Sequence, residues 1–192
     1  QKMGNIDKAI IAIQQAHKLD PQNERLTEGL VDLLLRTEQY QKALDIIREQ
    51  DKSWRWLERE GDVLALLDND ILAIARYGLV LAHLSDLEGA MNENYLQALK
   101  LRVILARAHA YRRLDYIDLA RNLYQSAQEI SADDATIAFN LGLLSEMEGQ
   151  HSRALAQCQQ ALADASPLLQ ESMLESIKNN PKFAELKNAL NS

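Results

Sequence analysis

Four basic side chains between residues 102 and 113 are best placed to do chemistry. Arg102, His109 and Arg113 follow one another at intervals of seven and four residues, so they form one stripe of an α-helix, and Arg112 flanks it. Guanidinium groups bind carboxylates through paired hydrogen bonds, so arginines in a concavity provide orientation as well as affinity. The stripe predicts a basic surface that receives a partner's carboxylate or acidic segment.

A simpler interpretation of the same stripe remains open. The arginines could lie on a solvated face, where they pair with carboxylates such as Asp115 and Asp118. Exposed pairs of this kind contribute only ~0–1 kcal/mol each to stability.

Other reactive residue types are arranged for packing rather than catalysis. The glycines are isolated within helical stretches, so they form no phosphate-binding loop. No histidine has a second His or Cys three or four residues away, which argues against a zinc site. Cys158 falls at an inward-facing position and is predicted to be a buried, inert thiol. We predict no enzymatic activity, no metal and no cofactor.

Composition predicts an all-helical protein. The 192 residues include only 7 Gly and 3 Pro, aromatic residues make up 5%, and good helix formers dominate. The net charge of −7 argues against general nucleic-acid binding. No apolar run approaches the ~20 residues of a membrane-spanning helix, so no membrane insertion is expected.

Small residues recur with a period of 34. Ala120 and Ala127 are followed 34 residues later by Ala154 and Ala161, and Ala9 is followed by Ala43. Alanine lets two helices approach closely, so its recurrence marks repeated helix–helix contacts.

This pattern resembles the tetratricopeptide repeat, a helix–turn–helix unit of 34 residues. The first unit keeps only its second helix, from about Asn5 to Leu19, with Pro21 at the family's proline position. Further units begin at Glu24, Leu101 and Ala135. The resemblance implies an all-α, right-handed α-α superhelix of about four to five repeats with a C-terminal capping helix.

The middle of the chain departs from the regular period. Helices are predicted over 53–67 and 71–84, and an insertion near 85–95 forms either a longer loop or an extended helix start. For helix 71–84 two registers are possible: either Ala73 and Tyr77 face the helix–helix contact, or Ala75 and Leu79 do. Helix 71–84 is apolar on nearly every side, which predicts a cover such as the insertion, a permanent partner or a homodimer.

Two segments follow the last repeat. Residues 168–177 are amphipathic, as expected of a helix that caps a solenoid. We therefore assign residues 1–180 to the solenoid. Residues 181–192 form a short amphipathic segment with Phe183 and Leu186, either a second piece of the cap or a docking surface for a following domain.

The resemblance also implies a concave groove lined by the first helix of each repeat. In this family such a groove binds extended or helical peptides. The residues at the corresponding positions are Arg102, His109, Arg112, Arg113, Thr136, Phe139, Asn140, Arg25, Asp32 and Arg36.

These observations predict a protein–protein interaction scaffold that binds a partner peptide or protein in its groove. Because the chain begins at Gln1 without a signal peptide, we interpret it as a segment of a larger protein. The alternative is a ligand-sensing regulatory module, which would have an enclosed pocket at Arg102, His109 and Asn140.

Overall fold

A computed structural model describes the backbone of residues 2–20 and 22–190, and their side chains except those of residues 2–7 and 9. The Ala9 side chain and Pro21, both used to recognise the first unit, lie outside the described residues. Within the described part, the backbone forms helices joined by short turns, with no β-strand. The predicted all-α class is therefore confirmed.

The chain divides into two compact units, Gln1–Asp86 and Leu87–Ser192. The helices of the first unit are α1 (Lys2–Leu19), α2 (Glu24–Arg36), α3 (Tyr40–Arg48), α4 (Trp54–Leu66) and α5 (Asp70–Asp86). The second unit contains α6 (Glu93–Arg113), α7 (Ile117–Ile130), α8 (Ala135–Met147), α9 (His151–Asp164), α10 (Pro167–Ile177), a 3-10 turn (Pro181–Phe183) and α11 (Ala184–Leu190).

The helices pair as hairpins that share one turn geometry. In each hairpin a backbone N–H bonds to the carbonyl oxygen five residues earlier, which is the Schellman closure of a helix end. These bonds are Gln39 to Leu34, Asn69 to Leu64, Tyr116 to Tyr111 and Gln150 to Ser145, at 2.8–3.0 Å. The residue before each donor has positive φ: Glu38, Asp68, Asp115 and Gly149. The recurrence of this turn is the local basis of the repeat.

The alanines predicted to mark helix contacts are buried. Ala43, Ala120 and Ala154 have no exposed surface, and Ala127 and Ala161 lie beside them in the cores of their hairpins. The period of 34 therefore reflects packing of small side chains between paired helices.

Close approach of α8 and α9 depends on Gly142. A Cβ atom added there would lie 2.6 Å from Cys158 Sγ, closer than two such atoms can pack. Cys158 is buried, as predicted, and burial together with the negative charge of Glu146 raises the pKa of its thiol to about 12.

In the irregular middle of the chain, helix α5 adopts one of the two predicted registers. Ala73, Tyr77 and Val80 face the core, whereas Ala75 and Leu79 are exposed. The extra residues form a short turn and an extended helix start, because α6 begins at Glu93. On its outer face, α5 leaves Ile71 69% exposed.

The C-terminal helices complete the core of the second unit. Met173 and Ile177 of α10 are buried, as expected of a capping helix, and Phe183 and Leu186 are buried with them. This cluster also includes Phe139 of α8. Residues beyond the capping helix are thus packed into the second unit.

Candidate partner-binding surface

The basic stripe lies on the C-terminal half of α6. Asn92 caps the helix start by accepting a hydrogen bond from the Tyr95 backbone N–H at 3.1 Å. Arg102 and Arg113 are exposed, whereas His109 and Arg112 are partly buried. Arg112 and Arg113 occupy the last turn, where the helix dipole favours positive charge.

His109 is held in its neutral form. Burial, followed by the positive charges of Arg112 and Arg113, lowers the pKa of His109 to about 4. Its ring lies 5.8 Å from the ring of Tyr124, centroid to centroid. The Nε2 atom is buried and forms no hydrogen bond with the residues that the structure describes. A buried imidazole nitrogen therefore has unused hydrogen-bonding capacity.

Tyr124 connects α6 to α8 through polar contacts. Its hydroxyl donates a hydrogen bond to Asn140 Oδ1 at 3.3 Å and accepts one from the Arg112 side chain. Burial raises the pKa of Tyr124 to about 12, against the opposing effects of Arg112 and Arg113. Asn140 Nδ2 in turn donates to the Thr136 carbonyl oxygen at 2.8 Å. Both ends of the Asn140 amide are thus engaged within the protein.

The C-terminal segment covers part of this surface. The Arg112 guanidinium lies over the ring of Phe183, 5.7 Å from its centroid. Lys182 Nζ contacts Asp115 Oδ2 at 2.6 Å. Arg112 Nε is buried and has no hydrogen-bond partner among the described residues.

Two predicted surface residues prove to be core residues. Phe139 is 1% exposed and belongs to the hydrophobic cluster that contains Met173 and Phe183, so its side chain packs inside the second unit. Asn140 is also buried. The repeat pattern places both residues on the exposed wall of the groove. In this chain, the C-terminal helices instead complete a hydrophobic core around α8. Thr136 is partly buried at the start of α8, next to the N-cap residue Asp134.

The remaining predicted residues lie on α2 in the first unit. Arg25, Asp32 and Arg36 are exposed. Asp32 Oδ1 accepts a hydrogen bond from Arg59 Nη1 of α4 at 2.6 Å. This α2–α4 contact was not predicted from the sequence, because the two residues are 27 positions apart.

Sequence reasoning also missed the polar role of Tyr124 and the contact between Phe183 and Arg112. Tyr124 is not singled out in the sequence-based predictions, although a buried tyrosine hydroxyl usually finds a hydrogen-bond partner, and this rule could have drawn attention to it. No local signal links Phe183 to Arg112.

The residues that the structure describes contain no group of three or more His, Cys, Asp or Glu side chains arranged to hold a metal ion. None of the described helices combines the length and apolar character needed to cross a bilayer.

Comparisons with known proteins agree with the repeat architecture. Family models described as tetratricopeptide repeat match residues 105–168 and 1–23. No curated protein sequence matches the chain at a significant level.

Solved structures share the fold. The crystal structure of MamA is 19% identical, covers 85% of this chain and 90% of its own, and has a TM-score of 0.66. PilW, a type IV pilus biogenesis factor, is 13% identical with 100% and 93% coverage and a TM-score of 0.65. YrrB, described as a TPR protein with an unusual peptide-binding site, is 16% identical with 93% and 90% coverage and a TM-score of 0.54.

At these identities the solved structures show a common fold, and the family models match the repeats themselves. Proteins with this fold bind protein or peptide partners and are generally non-catalytic scaffolds. Residues 1–23 and 105–168 therefore match tetratricopeptide repeats, and the chain as a whole shares the fold of solved tetratricopeptide repeat proteins.

Proposed function

We propose that the chain is an interaction scaffold whose second unit binds an acidic segment of a partner protein or peptide. The binding residues are the α6 stripe of Arg102, His109, Arg112 and Arg113, together with Thr136 at the start of α8. Arg25, Asp32 and Arg36 of α2 form a corresponding binding surface in the first unit.

One observation carries the proposal: the Arg112 guanidinium and the neutral His109 imidazole each retain a buried nitrogen atom without a hydrogen-bond partner among the described residues. These atoms are Arg112 Nε and His109 Nε2, with no hydrogen bond to any described residue. A buried N–H without an acceptor is costly, and a carboxylate from a partner would satisfy it with a charge-assisted bond. In a chain of net charge −7, the three arginines of the stripe are a localised attraction for an acidic partner.

The Tyr124–Asn140 pair supports this surface as a positioning element. Tyr124 hydrogen-bonds Arg112 and Asn140, so the guanidinium is held in one orientation. Preorganisation of this kind reduces the entropy lost when a partner binds. Asn140 therefore acts through Tyr124 and does not need to contact the partner.

Selection from a randomised peptide library against the full chain tests the proposal. We expect enriched peptides to carry Asp or Glu. Arg112→Gln should weaken their binding by roughly 10–100-fold, because it removes a hydrogen bond to a charged group worth about 1.5–3 kcal/mol.

Arg153→Gln is the matched control, since it removes the same charge from the exposed face of α9. Its binding should remain close to wild type. Enrichment of peptides without acidic residues, or equal losses in both variants, would contradict the proposal.

The ligand-sensing alternative is less well supported. It requires an enclosed pocket at Arg102, His109 and Asn140, but both polar ends of the Asn140 side chain are already engaged by Tyr124 and Thr136. A homodimer through residues 71–84 stays a prediction, which the exposure of Ile71 and Leu79 favours.

A further inference from the structure

A separate cavity lies between the α8–α9 turn and α11, within the second unit. Its volume is about 240 Å³. Glu146 and His151 lie at the turn, Leu155 follows on α9, and α11 forms the opposite wall. The cavity lining includes Glu146, His151, Leu155, Glu185, Leu186 and Ala189.

The most buried polar residue that lines this cavity is Glu146. Its side chain is only 4% exposed, and Oε2 is buried without a hydrogen-bond donor among the described residues. His151 Nδ1 lies 3.0 Å from Oε2, but the histidine side chain is 63% exposed and makes no well-oriented hydrogen bond to it. A buried carboxylate without a donor is energetically costly, so a cationic donor entering the cavity would be stabilised.

The remaining walls match the stem of a long basic side chain. Leu155, Leu186 and Ala189 provide apolar surface, and Glu185 places a second carboxylate on the cavity lining. Lysine and arginine combine an aliphatic stem with a charged end, so each can lay its stem along apolar walls while its head meets a carboxylate. Glu146 also lies in the last turn of α8, where the helix dipole favours a cation.

We propose that this cavity is a binding site for a lysine or arginine side chain of a partner protein. Glu146 accepts the hydrogen bond from the ammonium or guanidinium group. This site binds a cationic group, whereas the α6 stripe is proposed to bind an acidic one. The proposal for the cavity therefore does not depend on the proposal for the α6 stripe.

Titration of the isotope-labelled full chain by NMR tests the proposal. The probes are the N-acetyl N-methylamides of arginine and lysine, with the N-acetyl N-methylamide of norleucine as the uncharged probe of similar stem. We expect saturable shifts in the backbone amides of residues 150–155 and 185–189 with the two cationic probes and none with norleucine. The tighter of the two cationic probes identifies which side chain the cavity prefers.

Variants make the test specific. Glu146→Gln should weaken binding of the cationic probe by about tenfold or more, because it replaces a charged acceptor with a neutral one. Glu148→Gln, which removes the same charge from a residue paired with Arg121, should leave binding nearly unchanged. His151→Ala should retain the carboxylate and strengthen binding, because the neighbouring imidazole no longer competes for it.

Three results would overturn the proposal. The first is the absence of saturable shifts with either cationic probe. The second is equal binding of norleucine, which would indicate a merely apolar cavity. The third is an equal loss in the Glu146 and Glu148 variants, which would indicate general electrostatic attraction. If Glu146→Gln fails to fold, loss of binding in His151→Ala decides against the site.

Discussion

His109 shows how burial changes the chemistry of a single residue. On the sequence it is one member of a basic stripe, but in the structure it is neutral because burial and two neighbouring arginines lower its pKa to about 4. Between this value and the ordinary 6.5, the unfolded chain binds a proton that the folded chain does not. The free energy of unfolding therefore rises with pH across this range.

Replacing His109 should remove this pH dependence. The stabilisation is complete above pH 6.5 and is lost as the pH falls toward 4, with a full difference of about 3 kcal/mol. We expect His109→Gln to show a flatter stability profile than wild type in urea denaturation followed by circular dichroism. His83→Gln, which changes an exposed histidine of α5, should retain the wild-type slope. If the free energy of unfolding changes with pH equally in wild type and both variants, His109 is not the source of the pH dependence.

At the scale of helices, one buried carboxylate joins three elements of the first unit. Glu60 of α4 accepts hydrogen bonds from Arg48 of α3 at 3.2 Å and from Arg76 of α5 at 2.7 Å. Burial alone would raise the pKa of Glu60, but the hydrogen bonds from Arg76 and Arg48 outweigh it and hold the pKa below its usual value. Its side chain is almost completely buried, so its charge depends on both partners.

Glu60→Gln should destabilise the first unit by about 2–4 kcal/mol, because it removes the shared anion between two arginines. Asp32→Asn is the control, since the Asp32–Arg59 pair is largely exposed and should contribute about 1 kcal/mol or less. Both tryptophans, Trp54 and Trp56, lie in this unit, so urea denaturation followed by tryptophan fluorescence reports on it directly. Equal losses in the two variants would show that burial of Glu60 is unimportant.

At the scale of the whole molecule, each compact unit has its own core. In the second unit, Phe183 is buried in the cluster that contains Phe139 and Met173, and it also lies against Arg112. Residues near the end of the described chain therefore complete a core that begins about fifty residues earlier, at Ala135. Repeat proteins are stabilised by contacts between neighbouring elements, so this closing contact should be important locally.

Phe183→Ala should destabilise the second unit by about 3 kcal/mol, the usual cost of truncating a buried phenylalanine. Hydrogen exchange followed by mass spectrometry should show faster exchange in α8 and α9, with α4 and α5 unchanged. Lys182→Ala is the control, because it removes an exposed contact and should have little effect. Equal acceleration in both units after Phe183→Ala would contradict this local role.

Much of the repeat architecture was predictable, because small residues recur wherever two helices must approach closely. The register of α5 was not predictable, since either set of apolar residues gives a plausible buried face. The packing of Tyr77 decides it: a Cβ at Gly61 would lie 2.7 Å from the Tyr77 ring, and the Tyr77 hydroxyl donates to Asp62 at 2.8 Å. Only one register brings the tyrosine to that glycine.

The candidate surface was only partly predictable. The α6 stripe follows from helical periodicity, because residues seven and eleven positions apart share a face. The burial of Phe139 did not follow, since it depends on helices that come later in the chain.

The amino-acid sequence alone determined the helical hairpins, their 34-residue period and the placement of alanines at helix contacts, because these depend on local periodicity and side-chain size. Only the tertiary structure decided which basic side chains are neutral or covered, and that Glu146, which lines a cavity, receives no hydrogen bond at Oε2 from the described part of the chain. Those properties depend on desolvation and on contacts between distant segments, which spacing along the chain does not encode.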